Sequence, residues 1–157
     1  MDLAKKDAFE KKFTDILNFG ALNLGLAIGY RTRLFDVMNE AGCPVSAGQI
    51  ASSAGVKERY VREWLGIMCT GRIVEIVPDE DGQELYYLPE EHAAVLARSG
   101  ESSMCVYSQE IPMLTDIALE HVVTDFSKGE GIPFTAYPKF QTFMADLSHT
   151  KLTRTLV

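Results

Sequence analysis

The stretch from Ser46 to Gly71 contains the strongest local folding signals in the sequence. Ser46 and Gln49 have the spacing of a capping box, in which each side chain binds the other residue's backbone N–H at a helix start. Gly55 then supplies a residue that easily adopts the left-handed conformation found at helix ends. A longer amphipathic segment follows, begins with KERYVREWLG, and ends at Gly71. The segment therefore predicts a short helix, a tight turn and a longer helix whose apolar stripe includes Tyr60, Val61, Trp64, Leu65, Ile67 and Met68.

Two short apolar segments follow Gly71. Residues 73–77 and 85–88 are rich in β-branched and aromatic residues, and the Asp81-Gly82 pair between them is typical of a hairpin turn. A further helical period precedes the capping box, from Leu34 to Met38, and it stops at Gly42. The order helix, short helix, longer helix and hairpin predicts a mainly α fold. We expect a winged helix-turn-helix with a small β-hairpin wing, flanked by N- and C-terminal helices.

The N-terminal residues predict two helical stretches. Apolar residues recur at helical spacing from Asp7 to Leu17, and a second apolar stretch follows that contains Gly20, Gly25 and Gly29. Each glycine weakens an isolated helix by about 1 kcal/mol relative to alanine. Glycines in an apolar helix therefore indicate close approach to another element. Tight packing within the chain is the favoured explanation, and a dimer face is the alternative.

The C-terminal third predicts further helices and an aromatic cluster. The period from Met104 to Phe126 is helical, and Pro112 is expected to bend this helix or mark its boundary. Aromatic side chains then recur in a loop and at the start of a last helix, where filling the core is the favoured role. These aromatic residues are Phe134, Tyr137, Phe140 and Phe143.

The charge distribution argues against nucleic acid as a partner. The formal net charge is −7, which repels phosphate, and the long helix pairs its own charges at Glu58–Arg62 and Arg59–Glu63. From residue 73 to residue 97 there is no lysine or arginine. A wing that contacts DNA usually offers a base to the backbone, whereas this turn carries Asp79, Glu80, Asp81 and Glu84.

Metal sites, membrane spans and local catalytic patterns are not indicated. The cysteines and histidines are scattered, without the spacing of a zinc site or a disulfide framework. The sequence has no signal peptide and no apolar run of membrane-spanning length, so we expect a soluble cytoplasmic protein. Neither paired carboxylates nor a nucleophile beside a base can be assigned, and we predict no catalytic residue. These scattered cysteines and histidines are Cys43, Cys69, Cys105, His92, His121 and His149.

Four segments together resemble one family. The chain is similar to the N-terminal winged-helix region of small-molecule class I S-adenosylmethionine-dependent methyltransferases. The piece RYVREWL, followed by a glycine and a strand, is the most specific part of the resemblance. The segments are GYRTRLFDVM (Gly29 to Met38), SAGQIASSAGVKERYVREWLGIMCTGRIVE (Ser46 to Glu75), YYLPEEHAAVL (Tyr86 to Leu96) and GIPFTAYPKFQTFMADLS (Gly131 to Ser148).

The resemblance implies that three segments of the chain have different roles. Residues 1–30 would form N-terminal helices and a possible homodimer face, residues 31–98 the winged helix-turn-helix, and residues 99–157 a linker and substrate lid. By resemblance, Tyr30, Tyr137 and Phe140 would contact a small-molecule acceptor, and this pocket would be completed by a catalytic domain.

The cofactor site of the family is not expected in this sequence. Family members bind S-adenosylmethionine on a Rossmann-like domain, and the strand with its G-x-G turn is not found here. We therefore predict no cofactor-binding residue and no binding of S-adenosylmethionine by this chain alone. It would be the N-terminal portion of a methyltransferase or a paralogue that lost its catalytic half. A stand-alone interaction or dimerisation module is the alternative, and a DNA-binding regulator is a third hypothesis.

Overall fold

The computed structural model describes residues 1–129, 131–137 and 139–155, without the side chains of residues 116, 118 and 149–155. Pro138, inside the last segment of the resemblance, and the side chain of His149 lie outside the described residues. The elements, in chain order, are α1 (Leu3–Thr32), α2 (Leu34–Ala41), α3 (Ala47–Ala54), α4 (Glu58–Thr70), β1 (Glu75–Pro78), β2 (Glu84–Tyr87), α5 (Glu90–Leu96), a 3₁₀ helix (Met104–Gln109), α6 (Glu110–Ile117), a π-helical turn (Ala118–Val122), α7 (Val123–Asp125), a 3₁₀ turn (Phe134–Ala136) and α8 (Phe140–Thr155).

The predicted winged helix-turn-helix is confirmed. Helices α2, α3 and α4 pack in sequence, and β1 pairs with β2 in an antiparallel hairpin with Ile76 opposite Tyr86. Val45 joins this hairpin, because its N–H donates to the Tyr86 carbonyl at 3.0 Å and its carbonyl accepts from the Tyr86 N–H at 2.8 Å. The wing is thereby fixed to the start of α3.

The capping signals act as predicted at both ends of α3. The Gln49 N–H donates to Ser46 Oγ at 3.3 Å, and the Ser46 N–H donates to Gln49 Oε1 at 2.8 Å. Gly55 ends the helix with a φ of +66°. These interactions join residues three positions apart or fewer, so they need no support from the rest of the fold.

The first strand begins two residues later than predicted. The N–H groups of Ile73 and Val74 both donate to the carbonyl of Met68, at 2.8 and 3.3 Å. These bonds close the C-terminal turn of α4, so neither amide is free to pair across the hairpin. The strand therefore starts at Glu75, after Arg72 has turned the chain with a φ of +58°.

Helix α4 buries a narrower stripe than predicted. Its buried residues are Val61, Trp64, Leu65 and Met68, whereas Tyr60 is 73% exposed and Ile67 is 41% exposed. At 3.6 residues per turn, Tyr60 and Ile67 lie together on one edge of the buried stripe. The core under α4 is completed by apolar residues of α2, α3 and the wing, including Phe35, Ile50 and Val74.

A single helix replaces the two predicted N-terminal stretches, since α1 is continuous from Leu3 to Thr32. Its glycines do not break the helix, because Gly25 and Gly29 let α1 pack closely on its neighbours and this packing offsets their low helix propensity. A Cβ on Gly25 would lie 2.7 Å from Met68 Cε, and a Cβ on Gly29 would lie 2.5 Å from Phe35 Cε2. Tight packing within the chain therefore explains these two glycines.

The helical prediction for the C-terminal third holds, with irregularities. The segment from Met104 to Asp125 is built from consecutive 3₁₀, α, π and α pieces. Pro112 lies in the first turn of α6, where a missing N–H costs no helical hydrogen bond, so it marks a boundary as predicted. The core-filling prediction is wrong for Phe134, which is 66% exposed and packs edge-on against Phe140 at 6.1 Å. Among the described residues, no helix has both the length and the apolar character needed to cross a membrane.

Candidate functional site

A cavity of about 250 Å³ lies where the C-terminal end of α1 meets α6 and the start of α8. Tyr30, Gln109 and Met113 form its buried part. Arg31, Arg98, Lys139, Thr142, Phe143 and Asp146 complete its wall, and all of these except half-buried Phe143 are exposed. The cavity thus has a buried floor and a polar, mainly cationic rim.

Tyr30 is held in the cavity floor by Arg98. The Arg98 guanidinium carbon lies 4.4 Å from the centroid of the Tyr30 ring, and its Nη2 donates to the Tyr30 carbonyl at 2.8 Å. Burial raises the pKa of the Tyr30 phenol above its ordinary value, and the positive charge of Arg98 partly opposes this shift. The phenol therefore stays protonated at neutral pH.

Arg98 is positioned in turn by a buried carboxylate. The Arg98 N–H donates to Asp36 Oδ1 at 2.7 Å, and its Nε lies 3.9 Å from Asp36 Oδ2. Arg33, which joins α1 to α2 with a φ of +60°, places its Nε 3.5 Å from the same oxygen. Asp36 therefore connects the loop after α5 to the junction of α1 and α2.

Arg31 is anchored by a buried amide. Its Nε donates to Gln109 Oε1 at 2.5 Å. Gln109 is 5% exposed, and its Nε2 donates to the Ala27 carbonyl at 3.1 Å. The Gln109 amide is thus oriented by the backbone of α1, and it holds the guanidinium at the cavity rim.

The three residues predicted to contact an acceptor do not all meet in this cavity. Tyr30 lines it. Tyr137 and Phe140 pack against each other with ring centroids 6.3 Å apart, and neither is among the described residues that line the cavity. Lys139, directly before Phe140, and Phe143, one helical turn after it, do line the cavity. The acceptor contacts themselves stay a prediction.

Sequence reasoning missed the polar residues of the site. Arg31 and Gln109 are 78 residues apart, and Arg98 is 62 residues from Asp36 and 68 from Tyr30. Such contacts leave no periodic or local pattern in the sequence. Once the fold is known, Asp36 and Gln109 are seen to be buried. Buried polar side chains are rare and usually have hydrogen-bond partners, and this is the signal that identifies them.

A second surface of interest is the N-terminal two thirds of α1. Residues 1–20 are all exposed, and the apolar side chains at helical spacing form a stripe that this chain does not cover with its described residues. We call this the α1 stripe, and its members are Phe9, Phe13, Ile16, Leu17 and Leu24. Gly20 lies within the stripe, where no described atom would come within 4 Å of an added Cβ.

Helix α4 and the wing are the elements with which a winged helix would contact DNA. The predicted pair of Glu58 and Arg62 is present, with Arg62 Nη2 2.6 Å from Glu58 Oε1. The predicted pair of Arg59 and Glu63 is not found among the ion pairs of the described residues. In the wing, Asp79 accepts hydrogen bonds from two backbone amides of its own turn, at 3.0 and 2.7 Å. Its acidic neighbours remain exposed.

Comparison with solved structures gives similar folds in methyltransferases. Human N-acetylserotonin methyltransferase in complex with SAM matches 78% of this chain at 15% identity and a TM-score of 0.65. The S-adenosylmethionine-dependent methyltransferase SibL in its apo form matches 88% at 16% identity and a TM-score of 0.62. PigF with SAH matches 79% at 18% identity and a TM-score of 0.56. The chain spans only 33–43% of the length of these proteins.

The sequence comparisons place the winged region in a family. No curated protein matches the chain. The sequence profile of the Rv2258c-like winged HTH domain matches residues 20–98, which is half of the chain. The resemblance to the N-terminal winged-helix region of S-adenosylmethionine-dependent methyltransferases is confirmed by this match together with the structural neighbours. The chain belongs to the family of Rv2258c-like winged helix-turn-helix domains.

Proposed function

We propose that this chain is the N-terminal winged-helix portion of an S-adenosylmethionine-dependent methyltransferase, where it dimerises and covers the acceptor site. The observation that carries the proposal is the fold shared over most of the chain with N-acetylserotonin methyltransferase in complex with SAM and with SibL. The described strands form only an antiparallel hairpin with an acidic turn, which does not fit the cofactor. We assign cofactor binding to a catalytic domain on the same polypeptide or on a partner.

The acceptor-covering role belongs to residues 99–155 together with the end of α1. The cavity at Tyr30 is open on one side and has a buried floor, the form expected of a half-site that a second domain completes. Tyr137 follows the 3₁₀ turn and Phe140 begins α8, close in sequence to Lys139, which lines the cavity. We propose that an acceptor contacts Tyr30 in the cavity and these two aromatic rings at its mouth.

The dimerisation role belongs to α1. Isolated helices have little stability in water, and residues 3–20 of this helix are all exposed in a single chain. The α1 stripe is self-complementary, because an antiparallel copy of the same helix presents the same apolar side chains about a two-fold axis. Phe13, 51% exposed in a single chain, would be near the centre of this interface.

Sedimentation tests the dimer. We expect the chain to be a dimer, and Phe13→Glu to convert it to a monomer, because a carboxylate would be buried in the apolar seam. Ala8→Glu is the matched control, since it adds the same charge to an exposed position of α1 that 3.6 residues per turn place about 140° around the helix from Phe13. A wild-type chain that is monomeric at all concentrations contradicts this role, as does equal dissociation by both variants.

The coding sequence after Val157 tests the assignment to a methyltransferase. A strand that ends in an acidic residue and a G-x-G turn would support it. A stop codon at this position, with no catalytic partner encoded nearby, would instead favour a stand-alone dimerisation module, which the exposed α1 stripe also permits. Calorimetric titration of the present chain with S-adenosylmethionine is expected to give no saturable binding, and micromolar binding would contradict the proposed location of the cofactor site.

The charges of α4 and the wing argue against DNA binding, because acidic side chains repel phosphate. Helix α4 offers Arg62 already paired with Glu58, and the wing presents acidic side chains. We expect no retardation of duplex DNA in electrophoresis at moderate salt. Retardation with a steep salt dependence would show that phosphate contacts exist and would favour a regulator.

A further inference from the structure

The cavity carries more positive than negative charge, although the chain as a whole is acidic. Three cationic residues, Arg31, Arg98 and Lys139, line it, and Asp146 is the one carboxylate among its described lining residues. The chain has a formal net charge of −7. Cations that converge on one concave volume focus a positive potential there, so the cavity attracts an anion that most of this surface repels.

Arg31 is pre-organised for an anion. Its Nε is bound to Gln109, a buried side chain that is itself fixed to the Ala27 carbonyl. The two Nη groups make no hydrogen bond or ion pair with the described residues, so this edge of the guanidinium remains available. Two parallel N–H donors match the two oxygens of a carboxylate. A side chain that is already held in place loses less conformational entropy when it binds.

Lys139 adds a second free cation from another element. It precedes α8, whose N-terminal end also carries a partial positive charge, and it forms no ion pair with the described residues. Arg98, by contrast, already donates to the Tyr30 carbonyl and is paired with Asp36. It therefore lines the cavity as a positive charge but offers no free donor in the way that Arg31 does.

Two other lining residues, Met113 and Phe143, supply an apolar surface. Met113 is buried, and Phe143 is half-buried on α8. The volume of about 250 Å³ lies just below the usual range for drug-sized ligands, which suits a single substituted ring.

We propose that this cavity binds the carboxylate of a small aromatic acid, with Arg31 and Lys139 contacting the carboxylate and Met113 and Phe143 packing on the ring. As a statement about the methyl acceptor, this assignment rests on the proposed function. As a statement about binding, it concerns only this chain and involves no cofactor. The two statements are therefore separable by experiment.

Calorimetric titration of the full chain at low salt tests the proposal, with sodium benzoate as the probe and benzamide as an uncharged molecule of the same shape. We expect saturable benzoate binding at least about tenfold tighter than benzamide binding, because charge-assisted hydrogen bonds are the stronger ones. Arg31→Gln and Lys139→Gln should each weaken benzoate binding by about tenfold. Lys128→Gln, which removes one positive charge outside the cavity, is the matched control and should leave the affinity unchanged.

Several outcomes would overturn the proposal. Absence of saturable benzoate binding, equal affinity for benzamide, or an equal loss in Lys128→Gln would each show that no carboxylate site exists. Lys139→Gln lies on an exposed position and leaves Gln109 untouched, so its result stands even if Arg31→Gln disturbs the fold. Arg31→Lys should recover part of the lost affinity, since it keeps the charge without the fork. These titrations contain no S-adenosylmethionine, so failure of methyl transfer would not affect them.

Discussion

Trp64 donates a hydrogen bond from its indole Nε1 to the backbone carbonyl of Gly25, at 2.9 Å. The bond joins the second helix of the helix-turn-helix, α4, to α1. It is possible because Gly25 has no side chain, and a Cβ there would lie within 3.0 Å of atoms on Met68 and Ile67. The orientation of the long helix that carries the α1 stripe therefore depends on this contact and on the neighbouring Gly29.

The indole hydrogen bond should be measurable in stability. We expect Trp64→Phe to lower the free energy of unfolding by about 1–3 kcal/mol, from the lost hydrogen bond and the smaller ring in a buried site. Urea denaturation followed by circular dichroism measures this change. Tyr60→Phe, at a 73% exposed position on the same helix, is the control and should change stability by less than about 0.5 kcal/mol.

The close packing at Gly29 predicts opposite effects for two glycine substitutions. Gly29→Ala should destabilise the fold by about 1–3 kcal/mol, because the added methyl group overlaps Phe35 and Trp64. Gly66→Ala on α4 should stabilise it by up to about 1 kcal/mol, since no described atom lies within 4 Å of the added carbon. Equal effects of the two substitutions in thermal unfolding would refute the packing explanation.

Asp36 should contribute to stability chiefly as an acceptor for the Arg98 backbone N–H. We expect Asp36→Ala to cost about 1–3 kcal/mol, because it leaves that partly buried donor without its partner. Asp36→Asn should cost less, since its amide oxygen still accepts the bond. Asp15→Ala, which removes an exposed carboxylate from α1, serves as the control. An Asp36→Asn variant as unstable as Asp36→Ala would show that charge, and not the hydrogen bond, is decisive.

Cys105 predicts a loss of stability at alkaline pH. Burial raises the pKa of its thiol from 9.0 to about 11, because the thiolate is poorly solvated in the core. As the pH rises, the thiol ionises in the unfolded chain before it ionises in the folded one. The contribution of the buried neutral thiol to the free energy of unfolding is therefore complete below pH 9 and is lost as the pH rises towards 11. The difference amounts to about 2–3 kcal/mol.

The test measures the free energy of unfolding of the wild-type chain and of Cys105→Ala between pH 8 and pH 11. The lower limit is about one unit below the thiol pKa of the unfolded chain, and the upper limit is close to the pKa of the folded one. We expect the stability gap between the two proteins to shrink or reverse across this window. Tyr30 and Tyr86 also have raised pKa values, but they are present in both proteins and cancel. A constant gap would mean that Cys105 is solvated.

The exposure of the cysteines also predicts their reactivity. In native protein, a thiol reagent should modify exposed Cys43 before buried Cys105.

The local architecture of this protein follows from its sequence. The capping box at Ser46, the left-handed Gly55 and the turn at Gly82 each depend on residues within a few positions, so a short window contains the whole interaction. The order of these elements was sufficient to predict the winged helix-turn-helix, and the acidic wing was apparent from the residues between the two predicted strands.

The tertiary structure decided what these elements do. The sequence did not indicate that α1 is one helix, because the cost of Gly25 and Gly29 is offset by packing on α2 and α4, whose positions against α1 are fixed only by the fold. Nor did it indicate the cationic cavity, since Arg31 and Gln109 meet across 78 residues and Arg98 reaches Asp36 across 62. Local patterns report energies between neighbours in the chain, whereas a binding site is formed by side chains that only the complete fold brings together.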